Sequence, residues 1–228
     1  MKQIYYIFLL LSFYGFSQSN YELGKQYFNT RNWEKSIVYF KKSLAENYKK
    51  NESIEFIGDA YGQQKDWDNA IENYQILKES FPKNANYWYK YGGALGMKAK
   101  ESNKFKALSL IDDVENAFLK AASLDKKHIE TRWALVMLYI ELPAIIGGSE
   151  KKAQRYADEL MTLSKVDGYL AKGYIDVYFK RYQSAEKNYI MAHKTGNSKT
   201  TFEKLYDLYL NKLKNKEKAQ QLKNNFEL

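Results

Sequence analysis

The 228-residue chain contains no cysteine, only two histidines and only two prolines. Without cysteine there is no disulfide, no thiolate metal site, no cysteine nucleophile and no thioether-linked lipid anchor. His128 and His193 stand far apart in sequence, and neither has a second histidine three or four residues away, so the spacing offers no zinc site. Little proline beside abundant lysine, glutamate and alanine argues against turn-rich β structure and for helices. Acidic residues are outnumbered, 27 against 36 basic ones, for a net charge of +9. At 45% hydrophobic and 16% aromatic, however, the composition excludes global disorder.

Long apolar runs are also scarce, and the one present lies at the start. Lys2 precedes a predominantly apolar stretch, residues 4–16, followed by small residues at Ser17 and Ser19. The stretch covers roughly 20 Å as a helix, short of the ~30 Å hydrocarbon core of a bilayer. Residues 1–19 therefore read as a secretory signal peptide with cleavage after Ser17 or Ser19, which places the protein in the periplasm or cell envelope. No later run approaches membrane-spanning length, so no integral span is expected after cleavage. Export removes the usual reason for a basic protein to meet nucleic acid. The lysines are also scattered among acids, in the manner of solvated helix faces.

The strongest signal in the remaining chain is internal repetition. Leu23-Gly24, Tyr27, Trp33, Ser36-Ile37 and Phe40 recur as Ile57-Gly58, Tyr61, Trp67, Ala70-Ile71 and Tyr74, with Pro82 closing the unit. A third unit opens at Tyr91-Gly92. The three glycines stand 34 residues apart. This period and residue pattern resemble the tetratricopeptide repeat, a pair of antiparallel helices. The small residues allow close helix approach and the aromatic residues pack around that contact. Weaker units continue over 129–142 with 150–163, 169–180 with 182–193, and 201–213 with 216–226. The expected fold is all-α: a right-handed superhelical solenoid of about six helix pairs, forming one domain over 20–228.

Two insertions break the period, near 98–112 and 142–149. In the first, Lys98, Lys100, Lys104 and Lys106 alternate with apolar residues, which reads as a long basic connection between the two helices of repeat three, with Asp112-Asp113 favouring the helix that resumes after it. The second is Leu142-Pro143-Ala144-Ile145-Ile146-Gly147-Gly148-Ser149, with Ser149 in the N-cap position of the next helix. Together they resemble a group of bacterial exported tetratricopeptide-repeat proteins, a resemblance that implies no catalytic residue. Because equivalent turns of successive repeats stack on one edge of a solenoid, both insertions should be neighbours there.

Two candidate partner-binding surfaces follow. One is the insertion edge: Lys98, Lys100, Lys104, Lys106, Pro143, Ile145, Ile146, Gly147, Gly148 and Ser149. The other is the groove lined by the first helix of each pair, with Tyr21, Lys25, Phe28 and Asn29, then Glu55, Asp59 and Gln63, Tyr89 and Met97, Trp133, Met137 and Glu141, and Tyr174 and Tyr178. Aromatic and methionine anchors suit a protein or peptide. The expected function is a non-enzymatic scaffold or adaptor without cofactor or metal. The contrasting reading is an enzyme or a small-anion or ligand site at the paired insertions, where Gly147-Gly148-Ser149 opens a helix beside Lys151 and Lys152.

Overall fold

A computed structural model describes residues 18–226, and among them every regular element is helical. All but the last two residues of the expected signal peptide lie outside the described residues. The first half of the chain forms α1 (Asn20–Asn29), α2 (Trp33–Ala45), α3 (Lys50–Gln63), α4 (Trp67–Ser80), α5 (Ala85–Glu101) and α6 (Lys104–Leu124). The second half forms α7 (Ile129–Glu141), α8 (Glu150–Leu163), α9 (Lys165–Tyr178), α10 (Tyr182–Gly196), α11 (Lys199–Asp207) and α12 (Lys216–Asn225). These are six successive pairs, as the period predicts.

The helices begin where short polar side chains satisfy the free N–H groups of a first turn. Ser19, Asn32, Asp66, Asn84, Asn103, Ser149, Ser164, Ser198 and Asn215 each accept such a bond. Each helix packs mainly on its neighbours in sequence, and α1, α5 and α7 also touch α3, α7 and α9, the first helices of the following pairs. Packing is thus near-neighbour throughout, as in other repeat architectures.

Within each pair the repeating glycine sets the separation. A Cβ placed on Gly58 would stand 2.8 Å from the Tyr74 ring, so the α3–α4 contact tolerates no side chain there. Ser36, the small residue on the facing helix of the first pair, donates its hydroxyl to the Gly24 carbonyl at 3.0 Å. The largest buried cluster lies in the middle of the stack, where Leu135, Val136, Leu160 and Ile175 are fully enclosed. Successive repeats are further tied by bonds one period long. The Trp67 indole N–H donates to Glu101 and the Trp133 indole N–H to Asp167, both at 2.8 Å.

Several boundaries differ from the sequence expectation. The first insertion is not a connection: α5 runs on to Glu101 and α6 starts at Lys104, leaving Ser102 and Asn103 between them. Asn103 is the N-cap, accepting from the Lys106 N–H at 3.0 Å, so the added residues lengthen both helices of repeat three. Asp112 and Asp113 consequently lie in the middle of α6 rather than at a helix start. Helix α9 begins at Lys165, four residues before the expected 169, because Ser164 caps it. In the last pair a π-turn, Leu208–Lys212, extends α11.

Candidate functional site

Four of the six repeats pass from their first to their second helix through a tight turn with one left-handed residue. It places a residue of positive φ at Arg31 (59°), Lys65 (60°), Lys180 (58°) and Lys214 (55°). Such values are uncommon outside glycine; in the first three of these turns the next N–H reaches the carbonyl five residues back, and in the last, after the π-turn, six residues back. Repeats three and four abandon it: one extends its helices, the other inserts the loop after Leu142. The two departures meet in space, where Lys100 Nζ, near the end of α5, pairs with Glu141 of α7 at 2.6 Å.

The inserted loop is held from within. The Pro143 carbonyl accepts from the Ile146 and Gly148 N–H groups at 3.0 and 3.1 Å, and Ser149 N–H reaches back to the Tyr139 carbonyl at 2.8 Å. Gly147 adopts φ +105°, and a Cβ on Gly148 would overlap the Leu142 carbonyl, so both glycines are required by the loop's course. Ser149 Oγ accepts from the Lys152 N–H at 3.2 Å, the N-cap its position predicts. Together these bonds make a short 3₁₀ turn, Ala144–Ile146. It directs Ile146 inward while Ile145 stays 94% exposed.

Between the insertions and the first helices of repeats three and four lies a cavity of about 940 Å³. Its walls are Tyr89, Gly93 and Met97 of α5, Lys104, Leu108, Ile111 and Val114 of α6, Trp133 and Met137 of α7, and Pro143 and Ile146 of the loop. Residues assigned from sequence to two separate surfaces thus line one space. From the groove come Tyr89, Met97, Trp133, Met137 and Glu141, and from the edge Lys100, Lys104, Pro143 and Ile146.

The remaining candidates lie elsewhere. Tyr21 is 5% exposed and packs on Phe40, Tyr48 and Phe56, so it belongs to the core. Phe28 packs edge-on against Trp33 and Phe56, and Lys25 pairs with Glu22 on its own helix. Asn29 and Gln63 are exposed. Glu55 and Asp59 together hold Lys90, each at 2.7 Å. Tyr174 donates its hydroxyl to Glu141 at 3.0 Å, while Tyr178 is half exposed beside Phe179. Lys98 pairs with Asp68, whereas Lys106 is exposed.

Most polar groups around the cavity are committed to one another. Tyr74 donates to Asp59, and burial first, then the Asp59 charge, raises its phenol far above the usual range. Tyr174 is raised in the same direction by burial and by Glu141. Both hydroxyls therefore stay protonated and act as donors. No group of acidic or histidine side chains suited to a metal ion occurs among the described residues. His128 caps α7 and His193 contacts Thr201.

Two features escaped the sequence. Arg132 is buried, donating to the carbonyls of Asp125, His128 and Ala122 and to Glu159. Phe105 is 87% exposed near the start of the extended α6, one turn before half-exposed Leu108. Arg132 carries no sequence signal for its role, but the apolar spacing of Leu108, Ile111, Val114 and Phe118 announces the longer α6.

Residues 57–84 match the model of the tetratricopeptide repeat family. A thermophilic tetratricopeptide-repeat protein of Thermus thermophilus superposes with a TM-score of 0.66 at 14% identity, over 86% of this chain and 96% of its own. The fold is a tetratricopeptide-repeat solenoid. YrrB, a tetratricopeptide-repeat protein with an unusual peptide-binding site, gives 0.52 at 12% identity over 80% and 87% of the two chains. The human IFIT1 dimer with m7Gppp-AAAA gives 0.70 at 17% identity, over 91% of this chain and 51% of that one. None of the curated proteins matches the sequence. No helix among the described residues is long and apolar enough to cross a membrane.

Proposed function

We propose that this solenoid is an exported, non-enzymatic scaffold of the bacterial cell envelope that binds a protein partner through the edge built by its two insertions. The observation that carries the reading is the exposure of large apolar side chains on segments the stacking does not need. Phe105 and Ile145 stand 87% and 94% exposed, one on each insertion. Single exposed apolar residues are ordinary, but one on each of two insertions that border the same cavity offers an anchor of the kind that fills a partner's pocket. Lys104 and Lys106 flank Phe105 and would speed encounter with an acidic surface. The tetratricopeptide-repeat fold, used for peptide binding in YrrB, agrees with this reading. The N-terminal apolar run, followed by small residues, supports export.

Cross-linking in intact envelopes, followed by capture, tests the proposal. Phe105→Ser combined with Ile145→Ser should lower capture of the partner at least about tenfold, the scale of a lost anchor residue, with helical circular dichroism unchanged. Replacing Lys98, Lys100, Lys104 and Lys106 with Gln should slow association and flatten its salt dependence. Undiminished capture by both variants would remove the edge as the binding surface, and capture of RNA instead of protein would overturn the scaffold reading. Retention of Met1 on protein recovered from the cytoplasm would overturn export.

A further inference from the structure

The cavity behind that edge has a chemistry of its own. We propose that it is a binding site for a long-chain anionic amphiphile, with the hydrocarbon chain lying between α5, α6 and α7 and the acid group at Lys104. This goes beyond the scaffold reading and does not depend on it.

The first ground is the wall. Met97, Leu108, Ile111, Val114, Trp133 and Met137 present an almost continuous apolar surface. The void of about 940 Å³ is at the upper end of what small-molecule sites occupy. The lining of α5 runs from Tyr89 to Lys100, which at a helical rise is roughly 17 Å of floor. At its middle, Gly93 opens directly onto the space, since a Cβ there would meet nothing within 4 Å.

The second ground is what the wall cannot do. An extended peptide brings a row of N–H and C=O groups that must be paired when buried. Most of the polar side chains here are already engaged: Trp67 with Glu101, Trp133 with Asp167, Tyr74 with Asp59, and Lys90 with Glu55 and Asp59. A hydrocarbon chain asks for no such partners.

The third ground is the distribution of charge along the cavity. Of its three lysines, Lys90 and Lys100 are neutralised by carboxylates, whereas Lys104 has no ion-pair partner among the described residues. Glu130 lines the opposite end, at the start of α7, and repels an anion there. The gradient therefore orients a ligand with its acid at the insertion mouth and its chain pointing inward.

Titrating the full chain with palmitate, cetyl alcohol and acetate, followed by tryptophan emission because Trp67 and Trp133 line the cavity, tests this. Palmitate should bind saturably at one site, cetyl alcohol at least about tenfold more weakly, and acetate not at all. Lys104→Gln should erase the preference for the acid over the alcohol. Gly93→Leu should abolish palmitate binding at unchanged helical content, and Met137→Glu, at a position 39% exposed, should do the same if the first variant misfolds. Unsaturable binding, undiminished binding by the folded blocking variants, or a preference that survives Lys104→Gln would overturn the site. No partner protein is present in this assay, so its failure leaves the scaffold proposal standing, and failure of partner capture leaves this site standing.

Discussion

Gly173 and Tyr189 are packed so closely that a Cβ on the glycine would overlap the tyrosine ring. The same ring is buried to 4% exposure and fills the interface of α9 and α10, so it cannot withdraw. Gly173→Ala should therefore destabilise the fold by about 1–3 kcal/mol, the usual cost of overpacking. Gly93, also helical but facing open space, should respond in the opposite direction, with Gly93→Ala gaining about 0.5–1 kcal/mol from lost unfolded-state entropy. Urea midpoints of the two variants check both signs. Equal shifts would mean that the two glycines are not distinguished by packing.

His193 sits against the Phe202 and Phe226 rings, with Nδ1 3.1 Å from the Thr201 hydroxyl. Burial lowers its pKa below the usual 6.5. The unfolded chain thus takes up a proton at a higher pH than the folded one. The stability linked to this group is complete above about pH 7, and it is lost as pH falls through 6.5 towards the folded value. His193→Gln should flatten that part of the profile, so wild type and variant differ more in thermal midpoint at pH 7 than at pH 5.5. A difference constant across that range would mean His193 does not titrate apart from solvent.

The inserted loop divides its two isoleucines by side. Ile145, almost fully exposed, should tolerate Ser within about 0.5 kcal/mol of wild type. Gly148→Ala should be the disruptive change, because its Cβ has nowhere to go but into the Leu142 carbonyl. Loss of the turn would free the Pro143 carbonyl and expose the amides of Ile146 and Gly148 to hydrogen exchange. Exchange rates unchanged at these two amides would place the loop's rigidity elsewhere.

The period, the helix pairs and the Ser149 cap were legible because each is a local matter. Gly24, Gly58 and Gly92 repeat at fixed spacing, and a cap needs only a serine before a helix. Repeat three misled for a local reason too: four lysines among apolar residues look like a connection until Asn103 is taken as a cap and the stripe through Leu108 and Ile111 as one helix face. The cavity was half legible. Met97 and Trp133 follow from the repeat frame, but their meeting with Lys104 and Ile146 depends on how far the lengthened helices reach past the stack. Tyr21 failed because Tyr48 and Phe56 of neighbouring elements cover it, a packing that no spacing within α1 displays.

Arg132 carries the last prediction. Its guanidinium, on a residue 3% exposed, donates to the Asp125 carbonyl at 2.6 Å, to His128 at 3.2 Å and to Ala122 at 3.3 Å. Two of these carbonyls, Ala122 and Asp125, belong to the end of α6, where unpaired C=O groups carry the negative end of the helix dipole. Its Nε also donates to Glu159 of α8 at 3.2 Å, so one side chain ties α6, α7 and α8 together. Removing it strands buried acceptors. Arg132→Met keeps the side chain's bulk but none of its donors, and should cost about 3–5 kcal/mol, as for other broken buried charge contacts. Glu159→Gln, in which Glu159 is already 39% exposed, should cost under about 1 kcal/mol. If the two variants unfold at similar urea midpoints, the ion pair rather than the carbonyl contacts stabilises this junction, and α6 is not closed by Arg132.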